Sequence, residues 1–271
     1  MCDAYVINSV KERMISRRNF FKGTAAATAG AALASMVSPS AALADGHSQV
    51  IDLTHTLTPD FPTYFGTPQF ATESVFNFGD NGFNLLNLTI NEHTGTHIDA
   101  PLHFSEDGQS VDELAISSLV APLCVIDIAA RAAEDPDTRV TPEDVQAWID
   151  ANGEIPDGAC VAMNSGWDAK VTTDAFRGFD GEVLHFPGFH AEAAEMLLET
   201  GAGSIGVDTL SLDYGLSGDF ITHYTWLPAG RIGIENIKNL SEVPAAGATI
   251  IIGAPKLAGG TGGPSRIFAL V

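Results

Sequence analysis

Basic side chains are scarce in this 271-residue sequence, which has 13 Lys and Arg against 34 Asp and Glu, a formal net charge of −21. Residues 1–44 carry five of the basic and only two of the acidic side chains. Without them, eight basic and 32 acidic side chains remain, a net charge of −24. Because nucleic acids and anionic membrane surfaces are themselves negatively charged, we expect neither to be a partner.

Cysteine is also rare, with three residues in the whole sequence. Only Cys124 and Cys160 lie beyond residue 44, each inside an apolar run that is typical of a strand. This excludes a small disulfide-stapled fold and predicts two buried free thiols. No internal repeat or long linker interrupts residues 45–271, which favours one domain over that range.

The sequence has one long run of small apolar residues, at positions 23–43. It follows residues 16–22, S-R-R-N-F-F-K, which match the twin-arginine export pattern S-R-R-x-F-x-K. Residues 42–44, A-L-A, fit a signal-cleavage site before Asp45. We therefore predict that 1–44 is a removed signal, that the twin-arginine export machinery is a partner, and that 45–271 is periplasmic and free of the membrane. This route carries folded proteins, which suggests a cofactor inserted before export.

Short apolar segments predict more strands than helices. Strands are predicted at 48–57, 84–90, 123–128, 159–163, 204–207, 232–234, 248–252 and 266–270. Helices are predicted at 142–152, after an N-cap at Thr141, and at 189–200. Continuous apolar strands indicate a sheet covered on both faces, so we expect an α/β fold with a few covering helices.

Residues 93–104, H-T-G-T-H-I-D-A-P-L-H-F, concentrate potential metal ligands. In an extended segment His93, His97, Asp99 and His103 would share one face. His97 and Asp99 would then lie about 6.6 Å apart along the strand, close enough to hold one ion, whereas His93 and His97 would be about 13 Å apart. Either the backbone bends at Gly95 or two ions share the site.

A metal site draws its three or more ligands from separate segments, so a second half is needed. His223 and Glu235 are the best remaining candidates, although each alone could equally be a structural histidine and a surface glutamate. Asp208 follows a predicted strand and could orient a ligand histidine or serve the fold alone.

Aromatic residues could form the walls of an apolar ligand site. The loop 59–68 contains Phe61, Tyr64 and Phe65, and Trp226 follows His223. We predict that these four side chains contact substrate, while simple packing under the loop is the alternative interpretation.

The motif at 93–104 resembles the H-x-G-T-H-x-D-x-P-x-H signature of the cyclase family, which includes bacterial kynurenine formamidases and isatin hydrolases. The resemblance continues at 186–189, 206–211, 223, 234–236, 254–257 and 264–266, and so covers nearly all of 45–271. It implies a mixed β/β/α fold of the swivelling type, assembled as dimers or larger oligomers.

The resemblance also implies roles for particular residues. His93, His97, Asp99, His223 and Glu235 would bind one or two divalent ions, zinc or manganese, and Asp99 or Glu235 could bridge two ions. His103 would be the catalytic histidine and would approach the metal without binding it.

The function that follows is metal-dependent hydrolysis of an amide C–N bond in a small aromatic or cyclic amide. The substrate would be a cyclic amide such as isatin or an N-formyl aryl amide, attacked by metal-activated water while His103 transfers a proton. One alternative is a periplasmic metal-binding or carrier protein without catalysis. Another is a Ser-His-Asp hydrolase using Ser211 and Asp213, but the sequence has no G-x-S-x-G pattern.

Overall fold

The computed structural model describes residues 49–271, so the predicted signal and its cleavage site lie outside the described residues. The strands are β1 (Val50–Asp52), β2 (Phe70–Phe76), β3 (Leu85–Ile90), β4 (His97–Asp99), β5 (Val120–Asp127), β6 (Arg139–Val140), β7 (Cys160–Asn164), β8 (Gly188–Phe189), β9 (Ser204–Val207), β10 (Ile232–Glu235), β11 (Ala248–Gly253), β12 (Gly262–Pro264) and β13 (Arg266–Leu270). The α-helices are α1 (Phe78–Asn81), α2 (Ala129–Glu134), α3 (Pro142–Asn152), α4 (Ala191–Leu198) and α5 (Ile221–Trp226). Short 3-10 helices include Pro101–His103, Trp167–Lys170 and Asp174–Phe176.

Nine of these strands form one mixed sheet in the order β1-β13-β11-β5-β7-β9-β10-β4-β12. The four central strands β5, β7, β9 and β10 are parallel to one another. The flanking strands pair antiparallel, including β4 between β10 and β12. The predicted mixed α/β fold with few helices is therefore confirmed.

Hydrophobic residues cover both faces of this sheet. Along β5, Leu123 and Val125 belong to one buried cluster, and Cys124 and Ile126 belong to another. This alternation is what a strand buried on both faces requires. Cys124 and the buried Cys160 are free thiols, as predicted.

Residues 71–89 belong to a different compact unit from residues 49–70 and 90–271. It contains most of the two-stranded sheet of β2 and β3 and the helix α1 between them. Asn77 accepts a hydrogen bond from the Asp80 backbone N–H, and Gly82 ends the helix at φ +78°. Both are ordinary capping arrangements.

The helix predicted at 142–152 is confirmed together with its N-cap, Thr141, which forms a reciprocal capping box with Asp144. The second helix is shorter than predicted because Gly188 and Phe189 pair with β6, and His190 caps α4 instead. No helix within 49–271 has the length and apolar character needed to cross a membrane.

Candidate metal centre and active site

Three short strands bring distant parts of the chain to one point. Strand β4 lies between β10 and β12, and its register places His97 opposite Glu235 and Asp99 opposite Gly233. The two halves predicted from the sequence therefore meet through backbone pairing.

The backbone bends immediately before β4. Gly95 has φ +69°, a conformation that residues with a Cβ rarely adopt. Asn236, which directly follows β10, donates from its side-chain amide to the Gly95 carbonyl at 3.0 Å, and its own carbonyl accepts from the Thr96 hydroxyl at 2.6 Å. The predicted bend at Gly95 is present and is fixed from the neighbouring strand.

His97 is oriented so that one ring nitrogen is left for a ligand. Its Nδ1 donates to the Gly95 carbonyl at 2.8 Å, so the neutral ring has its lone pair on Nε2. That Nε2 lies 3.3 Å from both Asp99 Oδ1 and Glu235 Oε2, yet it is buried and forms no hydrogen bond among the described residues. Asp99 Oδ2 is likewise buried without a hydrogen-bond partner in that part of the chain.

His223 shows the same arrangement from the other side. Its Nδ1 is 2.6 Å from Asp213 Oδ2, and its Nε2 is 3.2 Å from Glu235 Oε1 and 3.8 Å from Asp99 Oδ2. Glu235 is itself held by the Leu212 backbone N–H, which donates to Oε1 at 3.0 Å. Asp213 is the carboxylate that orients this histidine.

His93 and His103 lie at the more open side, both half-buried. His93 Nδ1 is 2.7 Å from Asp99 Oδ1, and its Nε2 is 2.9 Å from the Thr261 hydroxyl. The ring of His103 stacks on His93 with centroids 3.8 Å apart, and it lies 6.0 Å from the ring of His223. All six predicted polar residues are therefore grouped together.

The electrostatics of the group depend on which side chains face carboxylates. Burial opposes the charged form of His97, but Asp99 and Glu235 outweigh it and raise the pKa to about 9. The same balance, with Asp213 contributing most against burial, raises the pKa of His223 to about 10. Burial, together with the neighbouring histidines, lowers the pKa of His103 to about 4 against the opposing charge of Asp99.

These residues fit a divalent cation. Within 49–271, two sets place their ligand atoms within 4.8 Å of one another: His97, Asp99 and Glu235, and His93, Asp99 and His103. Buried imidazole and carboxylate atoms that face one another without hydrogen bonds are explained by a cation between them. Asp99 belongs to both sets, so the arrangement can accommodate one ion or two.

Three half-buried aromatic rings stand beside the histidines. Phe104 lies 4.6 Å from His223 between ring centroids, and Phe220 lies 5.8 Å from each of Phe104 and His223. Tyr64 packs against Phe220 at 5.6 Å. Burial and the nearby charges of Asp213 and Glu235 raise the pKa of Tyr64, which keeps its hydroxyl neutral. We call Tyr64, Phe104 and Phe220 the aromatic wall.

The other predicted substrate residues lie elsewhere. Trp226 is fully buried in the core, and its indole N–H donates to the Ile232 carbonyl at 2.8 Å. The prediction that Trp226 contacts substrate is therefore wrong, because no surface of it is accessible. Phe65 is 71% exposed, and its ring packs edge-on against Tyr64 with centroids 5.4 Å apart.

Phe61 faces a different cavity. Its ring packs edge-on against His55 and Phe176. The cavity that it lines contains none of the predicted metal ligands. The prediction that Phe61 belongs with Tyr64 at the substrate site is not supported by this position.

Several residues that shape the site differ from those expected from the sequence. Asp208 does not orient a ligand histidine: it accepts hydrogen bonds from the backbone N–H groups of Ser165 and Trp167 and from the Ser165 hydroxyl. Asp213, five residues later, has that role. Phe104 is the last residue of the motif at 93–104, and its place beside His103 could have predicted a position at the site. Nothing in the sequence around Phe220 indicates that its ring lies beside the histidines.

The geometry also bears on the serine hydrolase alternative. Asp213 does contact a histidine, as such a triad requires, but the opposite nitrogen of His223 faces the carboxylates of Glu235 and Asp99. A serine hydroxyl would have to occupy that position. Ser211 instead accepts a hydrogen bond from the Asp213 backbone N–H.

Comparison with known proteins gives consistent matches. The Cyclase family model matches residues 51–214, and the twin-arginine translocation signal model matches residues 14–34. An isatin hydrolase from Roseibium aggregatum is 33% identical over 250 residues, covering 85% of this chain and 95% of that protein. A kynurenine formamidase from Salinibacter ruber is 28% identical, covering 80% and 95%. The solved isatin hydrolase A from Ralstonia solanacearum superposes with a TM-score of 0.78 at 37% identity, covering 82% of this chain and 92% of that one.

Proposed function

Since this chain belongs to the Cyclase family, we propose that it hydrolyses a cyclic aryl amide of the isatin type. The class of reaction, metal-dependent hydrolysis of a non-peptide amide C–N bond, follows from the relatives described above and confirms the prediction from the motif at 93–104. The twin-arginine signal directs the protein to the periplasm, which is also confirmed. Enzymatic relatives count against the metal-carrier alternative.

The observation that carries the proposal is the convergence of His97, His223, Asp99 and Glu235 around unsatisfied buried atoms. We propose that these four, with His93, bind one or two divalent ions. Mixed imidazole and carboxylate ligands suit zinc or manganese. When bound, such an ion polarises a carbonyl and lowers the pKa of water from about 15.7 toward 7.

His103 is proposed as the proton carrier. Because burial lowers its pKa to about 4, its ring is neutral near pH 7 and can accept a proton. As water adds to the amide carbonyl carbon, His103 takes the proton that the water loses. It then delivers this proton to the amide nitrogen as the C–N bond breaks, so that one amide and one water give a carboxylic acid and an amine. Its stacking on His93 keeps the ring beside the proposed ligands.

The substrate class is proposed from the aromatic wall. Tyr64, Phe104 and Phe220 offer ring faces and edges to a planar aryl group next to the histidines. A cyclic amide and an N-formyl aryl amide both fit this description. Export to the periplasm favours scavenging or detoxification of an external compound, and therefore the cyclic amide.

Two further proposals concern the mature protein. We propose that residues 45–271 form the processed enzyme and that it assembles as a homodimer or larger oligomer, as the family resemblance implies. Light scattering on the purified mature chain measures its mass directly, and a monomer at micromolar concentration would contradict the second proposal.

The experiment that tests the function is an assay of metal-loaded protein with isatin and with N-formylaniline. We expect ring opening of isatin at a higher kcat/KM, and activity that is lost on chelation and restored by zinc or manganese. A higher kcat/KM for N-formylaniline would contradict the proposed cyclic substrate and indicate an N-formyl aryl amide instead. Inertness toward both would reject both substrates.

The role of His103 has its own test. We expect His103→Asn to lower kcat by roughly 100-fold or more while metal content is retained, because proton transfer is lost but the five ligands remain. The control is His190→Asn, a histidine at the N-cap of α4, which should leave kcat unchanged. Loss of metal together with activity would show that His103 is a ligand.

A further inference from the structure

A second cavity lies outside the group of histidines. It has a volume of about 800 Å³, and its walls come from the loop 56–68, the segment 171–179, His55 and Lys238. Cavities of this size hold small-molecule ligands. Of the residues predicted from the sequence to act in the reaction, Phe61 is the one that lines this cavity. The proposed reaction itself takes place elsewhere, at the group of histidines.

Two of the few cations of the chain converge on this cavity. Arg177 and Lys238 both line its walls. Of the eight Lys and Arg side chains within 49–271, two form an ion pair: Arg131 with Asp144 at 2.6 Å and Arg266 with Asp52 at 2.7 Å. Arg177 and Lys238 are among the six that have no carboxylate oxygen within 4.0 Å in that part of the chain. Residues 45–271 carry four acidic side chains for every basic one, so two cations without an ion pair in one cavity indicate a site for an anion.

Arg177 is held in place with part of its guanidinium unused. Its Nε donates to the Tyr64 carbonyl at 3.2 Å, and the guanidinium carbon lies 4.5 Å from the centroid of the Phe179 ring. The group also lies against Gly66, where a Cβ would meet the guanidinium carbon at 2.7 Å. Within 49–271, Nη1 and Nη2 form no hydrogen bond. A fixed guanidinium with two free N–H-bearing nitrogens is suited to a carboxylate.

His55 provides a second unpaired polar group. It lines the cavity, is 6% exposed, and its Nε2 has no hydrogen-bond partner among the described residues. Burial and, to a smaller extent, the charge of Lys238 lower the pKa of His55 to about 4, against the opposing charge of Asp168. Its imidazole is therefore neutral near pH 7 and adds no charge to the cavity.

The remaining walls restrict the kind of anion. Phe61 and Phe179 supply aromatic surface, which favours a ligand with a ring. Asp60 and Asp174 also line the cavity, and both are exposed. Their two negative charges equal the two positive charges of Arg177 and Lys238, so the walls carry no net charge. This disfavours a polyanion such as a nucleotide and leaves the contact with a single carboxylate to the two cationic side chains.

We propose that this cavity binds a small aromatic monocarboxylate, with Arg177 and Lys238 contacting the carboxylate and Phe61 and Phe179 contacting the ring. Only the source of the ligand rests on the proposed function: the ring-opened product of a cyclic aryl amide is an aromatic carboxylate. Binding at this cavity does not depend on the metal centre.

The test is isothermal titration of the metal-loaded protein with benzoate, and with benzamide as the uncharged control. We expect benzoate to bind and benzamide to bind at least tenfold more weakly. Arg177→Gln and Lys238→Gln should each weaken benzoate binding at least tenfold. Arg139→Gln is the matched control, because this guanidinium lies over Tyr214 and outside the cavity.

Asp99→Asn separates the cavity from the metal centre, where a carboxylate could also bind. Benzoate binding that persists in Asp99→Asn and weakens in Arg177→Gln supports the proposal. The proposal is overturned if benzoate does not bind, if benzamide binds equally, or if binding is lost in Asp99→Asn and unchanged in Arg177→Gln and Lys238→Gln. Since the titration measures no turnover, inertness toward amides would reject the proposed function and leave this result standing.

Discussion

Asp213 and the Gly95 carbonyl have equivalent roles at the two most buried histidines. Each occupies Nδ1 of its histidine, His223 or His97, and leaves Nε2 facing Asp99 and Glu235. A histidine with a fixed tautomer and orientation is a better metal ligand. Neither partner would bind the ion itself, so the geometry of the centre depends on residues beyond its ligands.

Asp213→Asn tests this dependence. The amide can place an N–H toward His223 Nδ1, which disfavours the tautomer that presents a lone pair on Nε2. We therefore expect metal affinity to fall about 10- to 100-fold, as measured by competition with a chromophoric chelator. Asp219→Asn, an exposed change nearby, should have no effect; equal affinity in both variants would contradict the role of Asp213.

At the residue scale, the spacing in the sequence predicted the proposed metal ligands better than it predicted the residues that orient them. The motif supplies its own geometry, since His97 and Asp99 must share a strand face whatever surrounds them. Asp208 and Asp213 both follow β9, and only the path of the chain after residue 208 decides which one reaches His223. Trp226 looked like a ligand contact because of its neighbour His223, but the helix α5 turns the indole into the core.

At the scale of elements, the site depends on close packing of β4 against β10. Gly233 lies opposite Asp99, and a Cβ there would approach Asp99 Oδ2 to 2.9 Å and the Leu212 side chain to 2.8 Å. Real Cβ atoms do not come so close, so the carboxylate or the strand would have to move. The Asp99 carboxylate can therefore occupy its position because Gly233 has no side chain.

Gly233→Ala should therefore weaken metal binding at least tenfold while the secondary structure is retained. Metal analysis together with circular dichroism checks this expectation. Gly218→Ala is the matched control, because nothing lies within 4 Å of a Cβ at that position. Full metal content in Gly233→Ala would show that Asp99 can be accommodated in another way.

Asp208 links the ends of two parallel strands through the turn that follows β7. Burial raises its pKa to about 7, against a value of 3.8 in a free side chain. The folded state thus holds a proton between these values that the unfolded state has lost. The free energy of unfolding should therefore decrease as the pH rises from about 4 to 7, and this contribution should be constant above pH 7.

Asp208→Asn should remove this contribution. Relative to the unaltered protein, we expect the variant to gain about 1 kcal/mol or more in unfolding free energy between pH 5 and pH 8, from urea titrations. The exposed change Asp150→Asn serves as the control. A difference between the Asp208 variant and the unaltered protein that does not vary with pH would show that Asp208 is ionised throughout.

The length and composition of an element decided whether it could be predicted from the sequence. Strands β5 and β7 are apolar runs bounded by polar residues, and helix α3 has a complete cap. Strand β12 reads G-G-P and exists only by pairing with β4. Helix α5 reads I-T-H-Y-T-W, with β-branched and aromatic residues that disfavour helices, and tertiary packing overrides that preference.

At the scale of the whole molecule, the charge, the export signal and the site are mutually consistent. A net charge of −24 on residues 45–271 attracts divalent cations. The acidic surface also repels anions, so the cavity that contains both Arg177 and Lys238 differs from the surrounding surface in its charge. Twin-arginine export carries a folded protein, which allows the cation to be bound before the periplasm is reached.

The most direct test of the central claim is the metal content of the purified protein, measured by elemental analysis beside Asp99→Asn. Asp99 lies within both sets of converging ligand atoms, so the account predicts at least one equivalent of zinc or manganese per chain in the unaltered protein and less than about a tenth of that in the variant. Amide hydrolysis by a protein free of divalent metal, or equal metal content in Asp99→Asn, would contradict it.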